Sequence, residues 1–290
     1  MADTTLTHPA ATSLRHVAYV LRSNPVTGVA FAMLAVILAA ALLGPALAPY
    51  DPYASDAAHA LEPPSWRHWF GTDNLGRDVF SRVLVATRLD LAISVSAVVL
   101  SFVVGSALGS AAGYWGGWTD RVLSRMFDTI MAFPLFVLAM GIVAALGNTV
   151  ENVVYATAVI NVPFYARLVR AEVNIRRESG FALAARLSGN ADWRVLAFHI
   201  FPNALPPMMV QVSLNLGWAI LNAAGLSFIG LGVRPPTAEW GIMVAEGANF
   251  IVSGEWWLAV FPGLALMFAV FTFNLLGDGL RDMVDPRMRT

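Results

Sequence analysis

The side chains that could transfer protons or bind a metal are widely scattered along this chain. Its five histidines lie in different segments of the sequence, at His8, His16, His59, His68 and His199. Neither H-E-x-x-H, which places two zinc ligands on one helix face, nor G-x-S-x-G, which presents a nucleophilic serine, occurs. The sequence therefore predicts no catalytic residue and no metal site.

Two reactive residue types are missing. The chain has no cysteine, which excludes a disulfide, a thiol nucleophile and a thiolate metal site. All 18 basic residues are arginine, so there is neither a Schiff-base lysine nor the lysine of a G-x-x-x-x-G-K-[ST] phosphate loop. We therefore expect this chain to bind no cofactor, and any nucleotide-driven motor of that type to be another chain.

A second set of polar residues stands inside apolar sequence. At about 100° per residue, Gln211, Asn215, Trp218 and Asn222 fall within one narrow sector of a helix. Buried amides that faced lipid would be costly, so they must face other helices or a watery path. One interpretation is that they form hydrogen bonds between helices, and each such bond contributes roughly 0.6 kcal/mol. The reading we favour is the lining of a pathway that offers donors and acceptors without charge.

Residues 170–207 form an arginine-rich stretch between apolar segments. Small residues around Ala184 and Ala185 predict a first short helix, and Gly189 predicts a left-handed or otherwise strained turn. Asp192 is placed to cap a second helix, which Pro202 would end. That helix would carry an apolar stripe at Trp193, Leu196, Ala197 and Ile200. From geometry alone, a solvated connecting hairpin and a docking element remain equally open.

The elements that must position these residues are membrane spans. The chain is 57% hydrophobic and only 13% charged, whereas soluble domains are about 25% charged. A spanning helix needs roughly 20 apolar residues. Six segments qualify, at residues 26–49, 91–114, 122–146, 150–168, 208–231 and 257–276. The sequence therefore predicts an all-α polytopic membrane protein with six transmembrane helices.

Arginine placement predicts the orientation. With the N-terminus inside, 13 of the 18 arginines lie on the inner side and only Arg67, Arg77, Arg82, Arg88 and Arg234 lie outside. The expected organisation is a cytoplasmic N-terminal segment (1–25), a first transmembrane helix (26–49), a loop on the outer side (50–90) and a core with the other five transmembrane helices (91–290). The core would contain the cytoplasmic loop 170–207 and a cytoplasmic tail (279–290).

The two long outer segments carry signals of their own. After Gly76 the pattern becomes helical, with Asp78 and Arg82 on its polar face, which predicts a helix lying on the outer interface. Asp73 or Asn74 is placed to close an Asx-turn, and a calcium site at Asp73 and Asp78 is a poorer alternative. Residues 232–256 predict a short helix or re-entrant piece at the outer mouth.

Three features within the spans have local explanations. Pro134 and Pro163 permit kinks, and hinges are the less favoured reading. Asp128 is expected to pair with Arg125 or Arg121, or to reach the interface. Glycines at four-residue spacing (Gly105, Gly109 and Gly113) predict close helix contact, within the chain or against a partner.

The loop resembles the "EAA" loop of the inner-membrane permeases of ATP-binding-cassette importers. That pattern is E-A-A, three residues, Gly, nine residues and I-x-L-P. It falls here on Leu183, Ala184, Ala185, Gly189, His199, Phe201 and Pro202. Leu183 replaces the glutamate, and the end reads HIFP. The strings HWFGTDNLGRDVFSR, FIGLG, AEWGIMV and FNLLGDGLRDMVDP resemble the dipeptide/oligopeptide/nickel permease family, in particular its second permease subunit, from about residue 25 to 286.

This resemblance implies a type I importer permease with the MetI-like fold, in the bacterial inner membrane. It implies half of a pore shared with a second permease, two cytosolic ATPases that bind ATP and dock on a coupling helix, and an external solute-binding protein. The expected solute is a di- or oligopeptide; nickel or another small solute is the alternative. An ion-coupled secondary transporter is the rival of another class, although the span centres lack the ionisable groups that such transporters usually place there.

Overall fold

The computed structural model describes residues 25–284, and this part of the chain is almost entirely helical. The predicted cytoplasmic segment before residue 25 and the last six residues of the predicted tail lie outside the described residues. The helices are α1 (Pro25–Leu47), α2 (Val79–Trp115), α3 (Gly117–Met131), α4 (Leu135–Leu146), α5 (Val150–Arg176), α6 (Gly180–Leu187), α7 (Asp192–Phe228), α8 (Trp240–Ala248) and α9 (Trp257–Val284).

Every predicted span falls mainly on helical residues, although several of the helices extend well beyond the span predicted within them. Among the described residues, four helices are long and apolar enough to cross a membrane: α1, α2, α7 and α9. A fifth span arises if α3 and α4, which meet at 90°, are taken together. The remaining predicted span lies in α5, whose 27 residues extend about 40 Å but include more polar side chains. The chain is therefore an all-helical, multi-pass membrane protein.

The third predicted span is not one continuous helix. Helix α3 ends at Met131 and α4 begins at Leu135, with Pro134 between them. Proline lacks an N–H and disfavours the helical conformation at the residue before it, which here is Phe133. Pro163, by contrast, lies inside the continuous helix α5. The predicted partner of Asp128 is also wrong, because its carboxylate accepts a hydrogen bond from Arg167 at 2.6 Å.

The predicted interfacial helix is the beginning of α2 rather than a separate element. Helix α2 runs without a break from Val79 through the boundary predicted at residue 90. Asp78 caps it, because its side chain accepts the Ser81 N–H at 2.8 Å. Asp78 and Arg82 are both buried, so the polar face inferred from the sequence faces protein. The pattern indicated a helix correctly, but it could not distinguish an exposed polar face from one that meets buried partners.

Helices α2 and α5 pack backbone against backbone. A Cβ atom on Gly105 would stand 2.7 Å from the carbonyl oxygen of Val162, and one on Gly113 would stand 2.6 Å from that of Arg170. A Cβ on Gly109 would overlap Ala166. The glycine series therefore provides close contact within this chain, which decides between the two alternatives that the spacing left open.

The end of the protein that is predicted to face outward contains a network of buried charges. We call residues 50–78 together with helix α8 the outer cap. Asp73 accepts hydrogen bonds from the backbone N–H groups of Leu75 and Arg77, both at 2.9 Å, and from Arg77 Nε at 2.6 Å. The bond to Leu75 confirms the predicted Asx-turn. Asp78 contacts His68 at 2.9 Å, so both aspartates of the calcium alternative already bind protein groups.

Two tryptophans tie the outer cap to the spans. Trp257 Nε1, at the start of α9, donates to the carbonyl of Thr72 at 3.2 Å. Trp240 Nε1, at the start of α8, donates to the carbonyl of Val83 on α2 at 3.1 Å. Both rings are buried in the apolar cluster that also contains Ile37 of α1. The predicted short outer helix is therefore present as α8, and it is anchored to α2.

Candidate coupling loop and translocation path

We call residues 170–207 the coupling loop after the role predicted for them. They contain the predicted short helix and a glycine with positive φ. Helix α6 covers eight residues, and Gly189 follows it with φ of 80°. The N–H of Gly189 donates to the carbonyl of Arg186 at 2.9 Å, and that of Asn190 donates to Ala185 at 3.3 Å. This pair of bonds forms a Schellman motif, which ends a helix on a left-handed residue.

Helix α6 has a buried face and an exposed apolar face. Ala182 and Ala185 are buried against Val173 of α5 and Ile200 of α7. Ala184 and Leu183 are exposed, and the side chain of Leu187 is 90% exposed. Small residues therefore let α6 lie close to the spans, while larger apolar side chains point away from the chain.

Asp192 is not the helix cap that the sequence predicts. Ala191 occupies the capping position, without a side-chain hydrogen bond. The carboxylate of Asp192 instead accepts a hydrogen bond from the hydroxyl of Tyr114, at the C-terminal end of α2, at 2.7 Å. The guanidinium of Arg186 lies 5.3 Å from the centre of the Tyr114 ring. Asp192 is therefore a tether between the loop and α2, and its true partner lies 78 residues away in the sequence.

The second predicted helix does not stop at Pro202. Residues Val195–Ile200 form a π-helical stretch, and Phe201–Phe228 continues it, so that α7 has 37 residues. Pro202 and the later prolines, Pro206 and Pro207, lie within α7 rather than at a new helix start. We attribute this to the π turn just before Pro202, in which the Phe201 N–H donates to the carbonyl of Leu196, because a wider turn leaves more room between the proline ring and the preceding carbonyl.

The π-helical stretch also changes which loop residues are buried. Leu196 and Ile200 of the predicted stripe are buried, but Trp193 and Ala197 are exposed. His199 is half-buried, and its backbone carbonyl accepts a hydrogen bond from Asn203 at 2.6 Å. A period of 3.6 residues does not describe a π turn, which is why the stripe was only partly correct.

The polar residues of α7 line a cavity of about 330 Å³ that α7 shares with α4, α5 and α9. Gln211, Asn215, Trp218 and Asn222 are all on its wall, as the sequence analysis grouped them. Gln211 Nε2 donates to Asn215 Oδ1 at 2.9 Å, and Asn222 Nδ2 donates to the carbonyl of Trp218 at 2.9 Å. The amides thus bond along their own helix while facing a common space.

Two further amides on this wall were missed by the sequence analysis. Asn161 of α5 and Asn274 of α9 line the same cavity. Asn161 Nδ2 donates to the carbonyl of Thr157 at 2.8 Å. No spacing pattern in either span connects these amides with α7. An isolated amide in the middle of an apolar run was the only available signal.

The described residues include no group of three or more His, Asp or Glu side chains that could hold a metal ion. The histidines within them, His59, His68 and His199, lie apart from the cavity, and His59 and His68 contact Asp56 and Asp78 respectively. The cavity wall instead carries neutral amides, Trp218 and apolar side chains. Its chemistry is that of hydrogen bonding to an uncharged or dipolar group.

Comparison with known proteins gives two family matches that together cover most of the chain. Residues 105–290 match the family described as "Binding-protein-dependent transport system inner membrane component". Residues 12–64 match the "N-terminal TM domain of oligopeptide transport permease C". The first match alone covers more than half of the chain and includes the coupling loop and the cavity-lining amides.

Individual relatives align over nearly the whole chain. This chain is 41% identical over 269 residues to the probable D,D-dipeptide transport system permease protein DdpC of Escherichia coli. The alignment covers 93% of this chain and 90% of the relative. The chain is 41% identical to the dipeptide transport system permease protein DppC of Alkalihalophilus pseudofirmus, over 93% of this chain and 88% of the relative. It is also 41% identical to the glutathione transport system permease protein GsiD of Pectobacterium atrosepticum, and that alignment covers 88% of this chain and 85% of the relative.

A permease of this type is a non-catalytic subunit that acts with a partner permease, an ATPase and a binding protein. The apolar helices agree with a multi-pass protein of the inner membrane. Together with the all-helical fold and the helix-turn of the coupling loop, the matches show that the chain belongs to the family of binding-protein-dependent transport system inner membrane components, as an oligopeptide-type permease subunit of an ATP-binding-cassette importer.

Proposed function

We propose that this chain forms half of the pore of a peptide importer and receives the motion of a cytosolic ATPase through helix α6. The observation that carries the proposal is the exposed apolar face of α6. Phe181, Leu183 and Leu187 are exposed on a helix of only eight residues, in a loop that should be aqueous. Burying a leucine side chain is worth about 1.5–3 kcal/mol, so this face favours binding a partner.

The surroundings of α6 extend the same surface. Trp193 and Phe198, at the start of α7, are exposed as well. The guanidinium of Arg194 lies 5.4 Å from the centre of the Trp193 ring. An apolar surface with an aromatic and arginine rim has the composition of a protein–protein interface. We propose that this surface binds one of two ATPase subunits. The second ATPase subunit would bind the other permease of the heterodimer.

A displacement of α6 has a direct route to the cavity. The Tyr114–Asp192 hydrogen bond holds the start of α7 against α2. Helix α7 then continues from Asp192 through Gln211, Asn215, Trp218 and Asn222. The same rigid element therefore contacts the docking surface at one end and lines the path along its length. ATP binding to the partner subunits would bias this element between inward-open and outward-open arrangements.

We propose that the amide-lined cavity is this chain's part of the translocation path. Neutral amides can exchange hydrogen bonds with a peptide backbone without trapping it by charge. The named relatives transport dipeptides and glutathione, which supports a short peptide as the solute rather than nickel. The arginine distribution supports cytoplasmic N- and C-termini, with the coupling loop on the ATPase side and the binding protein at the outer cap.

The docking proposal is tested by replacing Leu187 with Ser in the complete transporter. Loss of this contact should reduce the amount of ATPase that co-purifies with the permease about tenfold or more, and uptake with it. The matched control is Val252→Ser, because Val252 is 99% exposed but lies beyond α8 on the outer side. Normal ATPase retention and uptake in Leu187→Ser would show that α6 is a connecting helix and not a docking element.

A further inference from the structure

Two carboxylic side chains are buried together between α2 and α8. Asp90 lies one-third of the way along α2, and Glu239 caps the start of α8; both are almost completely buried. Their carboxyl groups are in hydrogen-bonding contact. Asp90 also accepts the backbone N–H of Trp240 at 3.2 Å, so the pair joins the two helices directly.

No cation compensates this pair among the described residues. Of the arginines on α2, Arg82 faces Asp73 at 3.7 Å and Arg88 is exposed. Glu246 of α8 faces Arg77 at 3.6 Å. From α7, the group that faces Glu239 is the neutral hydroxyl of Ser227. Two buried carboxylates in contact cannot both be ionised without a large electrostatic penalty. The pair must therefore retain a proton.

The hydrogen bonds indicate which side chain holds it. Glu239 accepts the N–H groups of Gly241 at 2.9 Å and Ile242 at 2.8 Å, which stabilise its ionised form. Asp90 accepts only the longer bond from Trp240. Burial raises the pKa of Glu239, and those two N–H groups oppose the rise. The arrangement corresponds to a protonated Asp90 that donates to an ionised Glu239.

We propose that this shared proton is a latch that holds helix α8 against α2 at the outer end of the protein. Release of the proton to solvent leaves two carboxylates in contact, and their repulsion drives α8 away from α2. Movement of α8 would also bring water to the pair and favour that release. The outer end of the protein should therefore open more readily as the external pH rises. Asp90 and Glu239 act as positioning residues in this scheme, and neither needs to touch the solute.

Helix α8 is well placed to transmit such a change. A Cβ atom on Gly241 would overlap the backbone of Ala224 on α7, and one on Gly247 would overlap that of Leu258 on α9. Helix α8 is thus wedged between the helix that carries the path amides and the last span. A small movement of α8 must displace one of them or open the contact with α2.

The absence of cysteine provides a direct test. Met243, which is buried on α8, is replaced with Cys as a reporter of opening, and Val252→Cys, in the exposed turn beyond α8, serves as the reference. The assembled transporter in proteoliposomes is labelled from outside with a membrane-impermeant maleimide, and modification of this chain is read by mass. The ratio of the two labelling rates removes the reagent's own pH dependence.

We expect the labelling ratio to rise at least about fivefold between about pH 6 and about pH 9 with the native pair. With Asp90→Asn, whose amide donates to Glu239 but cannot ionise, the ratio should stay low and flat. With Glu239→Gln, which weakens the cap of α8, it should be high throughout. A flat ratio with the native pair overturns the latch, and so does an unchanged rise, or a failure to assemble, with Asp90→Asn. Because ATPase docking plays no part in this readout, the result is separate from the test at Leu187.

Discussion

The outer cap and the coupling loop contain similar types of residue but bury them to different extents. Both contain glycines with positive φ, arginine–carboxylate pairs and exposed or buried aromatic rings. In the outer cap the Arg77–Asp73 pair is buried, and a Cβ atom on Gly76 would overlap the carbonyl oxygen of Asp56. Near the coupling loop the Arg167–Asp128 pair is half exposed, and Gly189 has open space around it.

This difference separates a region that is complete within the chain from one that is not. The outer cap satisfies its buried charges with its own residues, so its shape is determined by internal contacts. The coupling loop satisfies its hydrogen bonds but leaves apolar side chains such as Leu187 in the open. A transporter subunit needs both kinds of region. A partner that moves the coupling loop changes the opposite end of the protein only if that end moves as one rigid unit.

The sharpest test of this contrast compares two glycines in the same backbone conformation. Gly76→Ala should lower the unfolding free energy by more than about 3 kcal/mol, because the added methyl group meets backbone that cannot move aside. Gly189→Ala, with φ of 80° but no atom near its Cβ, should cost only about 1–2 kcal/mol of backbone strain. Thermal unfolding of the detergent-purified permease measures both. Equal shifts in Tm would contradict the distinction.

The ion pairs give the next largest contrast. Arg77→Met removes a guanidinium whose side chain is 3% exposed and leaves the buried Asp73 with only the more distant Arg82, at 3.7 Å, which should cost about 3 kcal/mol. Arg167→Met breaks a pair whose Arg side chain is 49% exposed and should cost about 0–1 kcal/mol. The same unfolding measurement compares them. A large loss in Arg167→Met would mean that the inner pair is buried in the assembled protein.

The smallest expected effect concerns the tether of the coupling loop. Tyr114→Phe removes the hydroxyl that donates to Asp192, a bond worth about 1 kcal/mol. Amide hydrogen exchange in α6 should accelerate about fivefold, while global stability changes little. Tyr50→Phe is the control, since its hydroxyl donates to Arg67 in the outer cap at 3.0 Å. If α6 exchanges at the native rate in Tyr114→Phe, the tether does not hold the loop.

Structural features that depend only on neighbouring residues could be predicted from the sequence. The helical spans, the left-handed Gly189 and the Asx-turn at Asp73 depend on nearby residues only, and they were confirmed. The effect of each proline was not predictable. Pro134 interrupts a span, whereas Pro163 and Pro202 do not, because neighbouring backbone geometry decides whether the missing N–H matters.

Contacts between residues that are far apart in the sequence were the main feature that could not be predicted. Asp128 pairs with Arg167 and Asp192 with Tyr114, neither of which is near in the sequence. Asn161 and Asn274 join the cavity wall from separate helices. Each helix shows which of its faces is apolar, but a polar residue on it has no preferred partner until the helices are packed.

The sequence alone determined that the chain is a multi-pass helical membrane protein, because apolar content and span length are properties of short segments. Its family followed from strings and spacings of the same kind. Only the tertiary structure decided where charge could be buried. Asp90 meets the N–H of Trp240 across 150 residues of sequence, and the free energy of a buried carboxyl depends on such contacts rather than on its neighbours along the chain.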